Sequence, residues 1–190
     1  MCTKLCSLTR CGVIAGCLLF LVDLILDWAF YIVILKTTQE GINKADSLKR
    51  AILVFAIVGI LILMLIFLAS IAKFLVNREG TLFYEKAADI LIILSAVGTW
   101  IEDLPQILLA LIVAFKAKDP FTFIQYAKAW FAICKSVLLI TVLVVRMRPC
   151  CEDKPGKWKR MVFISEIIGH AAVIIVSLFL LVQLYSDKLS

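Results

Sequence analysis

The polar residues that could do chemistry in this 190-residue chain interrupt an apolar stretch, ILIILSAVGTWIEDLPQILLALIVAF at residues 90–115. One helical face of the stretch carries Ser95, Thr99, Glu102 and Gln106, with Asp103 at its edge. The stripe runs past the middle of a segment long enough to cross a bilayer as a helix. Ionisable groups at that depth are costly and typically mark a pathway or a binding site. The stripe therefore predicts a polar site inside a membrane.

Further ionisable residues lie in three of the other apolar stretches, and they are Asp23, Asp27, Lys135, Glu166 and His170. Asp23 and Asp27 are four residues apart, so they share one face of a helix. We expect a bundle that turns such faces inward, with Lys135 as the counter-charge to the carboxylates. Two alternatives remain: Lys135 could extend to the outer interface, and Glu166 could simply pair with His170 along its own helix.

Composition indicates an integral membrane protein. Hydrophobic residues make up 63% of the chain, charged residues only 18%, and the mean hydropathy is +1.05. The apolar runs cover about 12–35, 51–74, 89–115, 129–145 and 161–185, each near the length of a membrane-spanning helix. They are continuously apolar, whereas strands of a membrane barrel alternate over about ten residues. We expect a single all-α domain, 1–190, with about five membrane-spanning helices and short loops.

The distribution of Lys and Arg predicts the topology. Eleven of these residues fall in loops on the side of the N-terminus and eight on the other side, so the N-terminus is expected in the cytosol. Pro105 removes the backbone hydrogen bond to Ile101 and is expected to kink the third helix. If that segment were re-entrant instead, four spans would remain and the downstream topology would invert.

Cysteines beside basic residues are candidates for S-acylation, and the best placed are Cys2, Cys6, Cys150 and Cys151. Unmodified thiols are the alternative. No CxxC pair is present and the single histidine lies inside the last apolar run, so neither a zinc site nor another metal or cofactor is expected. Catalytic signatures such as HExxH or a glycine-rich phosphate loop are also missing from the sequence, and an enzyme is not expected.

Two motifs suggest a family. The segment from Glu102 to Leu109, EDLPQILL, resembles the acidic-x-x-Pro-Gln stretch of the XK-related membrane proteins, some of which are phospholipid scramblases. The first span is similar to that family's opening helix, because Asp23 and Asp27 precede Trp28 and Tyr31. The resemblance covers about residues 12–148. It implies plasma-membrane lipid transport, in which headgroups move along a polar groove lined by Asp23, Asp27, Glu102, Asp103, Gln106 and Lys135.

Two other classes of function stay open. A proton- or cation-coupled channel or transporter would use the same carboxylates, with His170 as a relay. An accessory subunit would use them to pair with charges of a larger membrane complex. The expected partners are membrane lipids if the chain transports lipid, together with a second copy of the chain or another membrane protein. The net charge of +6 is spread over the loops and does not indicate nucleic-acid binding.

Overall fold

The computed structural model describes residues 2–37, 42, 45–75, 82–116, 122–147 and 156–189, and side chains within 16–37, 42, 45–72, 86–116, 123–145, 147 and 156–186. The helices are α1 (Cys2–Lys36), α2 (Asp46–Leu75), α3 (Leu82–Gly98), a π turn (Thr99–Asp103), α4 (Leu104–Lys116), α5 (Thr122–Met147) and α6 (Lys157–Leu189). No strand occurs in these ranges. The all-α prediction is confirmed.

Within the described residues, five helical runs are long and apolar enough to cross a membrane: Gly16–Lys36, Asp46–Ala72, Lys86–Lys116, Phe123–Val145 and Lys157–Ser186. Most begin several residues before the apolar runs of the sequence. A backbone that left the helix inside the hydrocarbon would lose its hydrogen bonds without gaining any to water, so helices extend past the hydrocarbon before they end. The difference matters most in α5. This helix begins at Thr122, so residues 122–128, which precede the apolar run at 129–145, are part of the bundle.

The third span is one helical run built from α3, the π turn and α4. The N–H of Leu104 bonds to the carbonyl of Thr99, five residues back, and this widens the turn immediately before Pro105. Pro105 has no N–H to donate to the carbonyl of Ile101, and the change in hydrogen-bond spacing lies directly before it. The 31-residue run from Lys86 to Lys116 is long enough to cross the bilayer in one pass. The irregularity expected from Pro105 thus lies in the turn that precedes it.

The five spans pack as a closed ring. Around the ring, α2 lies between α1 and the third span, and α6 lies between the third span and α5, which returns to α1. Large apolar side chains cover the outside, including Phe123 (83% exposed) and Val182 (67% exposed). Polar and charged side chains are buried inside, the reverse of a water-soluble protein. This arrangement fits a protein whose solvent is lipid.

An apolar core fills one end of the ring. It is formed by the C-terminal parts of α1 and α6, by α4 and by the start of α2, and includes Phe30, Ile34, Ile52, Ile107, Val113, Leu180 and Leu184. The buried polar residues begin directly beside this core and continue toward the opposite end of the bundle. The core therefore closes the polar interior at the end of the bundle where α1, α4 and α6 end.

Candidate functional site: a buried charge network

Six polar side chains from three spans meet inside the ring. This charged cluster consists of Asp23 and Asp27 from α1, Asp103 and Gln106 from the third span, and Lys128 and Lys135 from α5. Lys135 Nζ donates to Asp23 Oδ2 and, at 2.8 Å, to Asp103 Oδ1. Lys128 Nζ donates to Asp27 Oδ1 and, at 2.6 Å, to Gln106 Oε1. Each lysine therefore links α1 to the third span.

Helix direction explains why the two lysines find matching partners. As the first and third membrane spans, α1 and the α3–α4 run cross in the same direction, and α5 crosses in the opposite one. Asp23 and Asp27 are four residues apart on one face of α1, and Lys128 and Lys135 are seven residues, or about two turns, apart on α5. Because α5 is antiparallel to α1, the later lysine meets the earlier aspartate. The result is two levels of ion pairs along the bundle.

The ion pairs are shielded from solvent and lipid. The side chain of Lys135 is 2% exposed and that of Asp103 is 8% exposed. Lys135 Nζ also lies 4.7 Å from the ring centroid of Phe20, and Lys128 Nζ lies 5.3 Å from that of Phe30. Such cation–π contacts add to charge pairing when water is excluded. Taking charges out of water is expensive, so each lysine is stabilised only while its partners stay in place.

Lys128 corrects the sequence interpretation, which counted it among loop residues. It is 4% exposed, because α5 begins at Thr122 and its inward face continues through Lys128 to Lys135. Removing Lys128 from the loop count leaves seven basic residues on that side of the chain. The available signal was the spacing of seven residues between the two lysines, which places them on one helical face.

A second set of polar contacts, the histidine cluster, lies on the α6 side of the ring and contains Ser95, Thr99, Ser136, Glu166 and His170. Ser95 Oγ donates to Glu166 Oε1. His170 has Thr99 Oγ1 at 3.4 Å from Nε2 and Ser136 Oγ at 3.4 Å from Nδ1. His170 Nε2 and Glu166 Oε1 are 3.9 Å apart. Glu166 and His170 therefore contact the third span and α5 as well as each other.

Glu102, at the centre of the sequence motif, makes no hydrogen bond to either cluster among the described residues. Its side chain lies against Gly59 of α2, where an added Cβ would overlap its carboxylate. Glu102 is 4% exposed, and its Oε2 atom is buried with no hydrogen-bond partner in the described part of the chain. Gly59 of α2 thus covers the central acid of the motif, while large apolar side chains of the same helix, such as Leu61 and Phe67, face outward.

The space between the charged side chains is small. A cavity of about 10 Å³ is lined by the charged cluster together with Ile107, Ala132, Ser136 and Val173. That volume holds about one water molecule. Gln106 lines this cavity, and its Nε2 has no hydrogen-bond partner among the described residues, so it could donate a hydrogen bond to a water molecule in the cavity. In this state the interior is a network of paired charges and not an open groove.

The two clusters occupy successive depths of the bilayer. With Gln125, whose Nε2 donates to the carbonyl of Ala110 at 3.4 Å, they form what we call the polar ladder. Its ends on the third span are Ser95 and Ala110, which are separated by about 22 Å at 1.5 Å per residue. The hydrocarbon layer is about 30 Å thick. The ladder thus extends over much of that thickness, and its last member, Gln125, reaches into the apolar core, to which its acceptor Ala110 belongs.

None of the four S-acylation candidates has a described side chain. Cys2 and Cys6 belong to the part of α1 whose side chains are not described, and Cys150 and Cys151 lie outside the described residues. In the ranges whose side chains are described, no group of three or more His, Cys, Asp or Glu residues could hold a metal ion. The histidine cluster contains one carboxylate and one imidazole, and the charged cluster already contains two ammonium groups. Neither composition suits a dedicated metal site.

Comparison with known proteins adds no relative: no protein-family model matches the chain, and neither a curated protein nor a solved structure matches it.

Proposed function

We propose that this chain moves phospholipid headgroups across the bilayer, as the resemblance of its two motifs to XK-related proteins implies. The polar ladder is the observation that carries the proposal, since a headgroup crossing hydrocarbon needs polar groups at successive depths. The motifs add support. Asp23 and Asp27 lie nearly 80 residues before Asp103 and Gln106, yet both sets meet at the same two lysines.

The charged cluster suits a headgroup chemically. A phospholipid headgroup carries a phosphate, which an ammonium group binds, and often an amine, which a carboxylate binds. If the Lys135–Asp23 pair opens, Lys135 could bind the phosphate and Asp23 the amine. Neither side chain would then be left without a partner of opposite charge. A cavity of about 10 Å³ admits no headgroup, so transport requires a second, open state of the ring. The described state is the closed one in this proposal.

Placement in the cell forms part of the proposal. The loop charges favour a cytosolic N-terminus, and the resemblance favours the plasma membrane. In that orientation, the apolar core around Ile34 and Leu184 lies in the outer leaflet, and the buried histidine cluster lies nearer the inner leaflet.

Reconstitution tests the function directly. Purified protein in liposomes with fluorescent phospholipid, probed with a membrane-impermeant quencher, should expose inner-leaflet lipid that protein-free liposomes protect. The variant that neutralises one level of the ladder, Asp27→Asn with Lys128→Met, should slow the exchange. Lys159→Met changes a lysine whose partner, Asp89, lies outside the ladder, and it should exchange as wild type does. Wild-type vesicles that exchange no lipid across varied pH and calcium would overturn the proposal.

Proton or cation transport is the second candidate, and an excess of acid favours it. Five acidic side chains are buried inside the ring among the described residues, and they are Asp23, Asp27, Glu102, Asp103 and Glu166. Only two lysines balance them in the described interior. An interior with more acids than bases attracts protons and cations. A pH-sensitive dye inside the same liposomes would report proton entry driven by a potassium potential, and proton flux without lipid exchange would select this function.

A further inference from the structure

Glu102 is the buried acid that the ladder leaves without a donor. Its carboxylate packs between the π turn and α2, against Gly59, where the missing side chain of glycine makes room for it. Its Oε2 lies within van der Waals distance of where a Cβ on Gly98 would be, so small residues surround it on two helices. The Oε2 atom is fully buried and has no hydrogen-bond partner among the described residues.

The charges that face Glu102 do not favour a further negative charge. They are Asp103 on its own turn, Asp23 and Asp27 from α1, and Lys135 from α5. Lys135 already binds two of these carboxylates. No charged residue occurs in α2 between Arg50 and Lys73, and α6 offers only the Glu166 and His170 of the histidine cluster.

An ionised carboxylate in this place would lack both water and a donor. Burying such a charge without a partner costs far more than a protein can offset, and the usual outcome is that the group becomes neutral. A neutral carboxylic acid beside Gly59 has no charge to desolvate, so its burial there costs far less than that of the carboxylate. The close contact with α2 is therefore compatible with the protonated acid and incompatible with the carboxylate.

We infer that Glu102 is a proton-binding site that holds α2 against the third span. With the proton bound, the neutral acid packs on Gly59 and the ring is closed. When the proton leaves for the aqueous phase, the carboxylate can no longer stay there, and the seam between α2 and the third span opens toward the charged cluster. The consequence for lipid rests on the proposed function; the proton site itself does not.

The π turn supplies the movable element. It holds Glu102 through a hydrogen bond that spans five residues, from Leu104 N–H to Thr99 O, instead of the usual four. Such turns are rare and occur frequently at functional sites. Conversion to an ordinary α-helical turn would shift the helical phase by one residue, about 100° of rotation, and carry the Glu102 side chain away from α2.

Infrared difference spectroscopy of the full chain in liposomes tests the proton site without any transport assay. Wild type should show the carbonyl-stretch band of a buried carboxylic acid at low pH, and this band should vanish as pH rises. Glu102→Gln should lack the band. Glu166→Gln is the matched control, because Glu166 is equally buried but accepts a hydrogen bond from Ser95, and it should keep the band. A wild-type spectrum without the band, or a band unchanged in Glu102→Gln, would overturn the inference.

Lipid exchange measured over the same pH range separates this inference from the proposed function. Exchange that rises as the band vanishes, and that is independent of pH in Glu102→Gln, supports both. A band that titrates in vesicles without any lipid exchange keeps the proton site and removes the scrambling proposal. Exchange that responds identically to pH in wild type and Glu102→Gln keeps the scrambling proposal and removes the role of Glu102.

Discussion

Replacing Lys135 by methionine separates a buried ion-pair network from an ordinary surface pair. The change keeps an unbranched apolar stem but removes the ammonium group that binds both Asp23 and Asp103. Lys159→Met is the matched control, since Lys159 Nζ lies 2.7 Å from Asp89 Oδ1 with both side chains about one-third exposed. The two substitutions are chemically identical and differ in burial and in the number of partners.

The magnitudes follow from that difference. Removing one partner of a buried pair leaves an uncompensated charge and typically costs about 3–5 kcal/mol. Lys135 is 2% exposed and leaves two carboxylates behind, so its loss should fall in the upper part of that range. Exposed ion pairs contribute only about 0–1 kcal/mol. We expect the free energy of unfolding to fall several-fold more in Lys135→Met than in Lys159→Met.

Equilibrium unfolding in mixed micelles, followed by tryptophan fluorescence, measures both losses. Adding Asp23→Asn and Asp103→Asn to Lys135→Met should recover much of the stability, because no buried charge is then left unpaired at this level. The ion-pair reasoning would be refuted if Lys135→Met cost no more than Lys159→Met. It would also be refuted if the two neutralising changes added their own cost instead of restoring stability.

Three further outcomes are expected. Gly59→Ala should lower the free energy of unfolding by about 1–3 kcal/mol in the same assay, because the new Cβ would overlap the Glu102 carboxylate. The control Gly16→Ala places its Cβ in open space and should be neutral or slightly stabilising. Equal effects of the two substitutions would contradict the Glu102 contact. Ser177→Ala should be neutral or stabilising, since Ser177 Oγ is buried and has no hydrogen-bond partner in the described ranges. Ser136→Ala should lower the free energy of unfolding by about 1 kcal/mol, because it removes the hydrogen bond to His170. A larger loss for Ser177→Ala than for Ser136→Ala would contradict the first expectation. Tags at the two termini should be accessible from opposite sides of sealed cells, because five spans are an odd number, and access from one side would instead support four.

The number and depth of the spans could be read from the sequence because hydropathy is a local property. A run of apolar residues spans the bilayer wherever it lies in the chain, and the five runs were found from composition alone. Spacing also placed Asp23 with Asp27 on one face, and Glu166 with His170 on another, because the helical repeat fixes faces without knowledge of neighbours. Lys135 as the counter-charge followed from depth, and the structure pairs it with Asp23 and Asp103.

Helix ends were less accessible to the sequence, and Lys128 shows why. A polar residue at the edge of an apolar run looks like a loop residue when hydropathy is averaged over a window. Inside a bundle, however, a charge is tolerated wherever neighbouring helices supply partners, and Lys128 finds Asp27 and Gln106. Those partners lie far away along the chain, so only packing reveals that the lysine is buried.

The sequence by itself determined an all-helical membrane protein with five spans and a polar interior centred on Glu102 and Asp103, because hydropathy and helical spacing act over neighbouring residues. Only the tertiary structure decided which helices adjoin, that Glu102 turns toward Gly59 and away from the lysines, and that the interior is closed to all but about one water. Those features depend on the rotation and order of helices around the ring. Rotation and order are set by contacts between residues far apart in the chain, which no local pattern records.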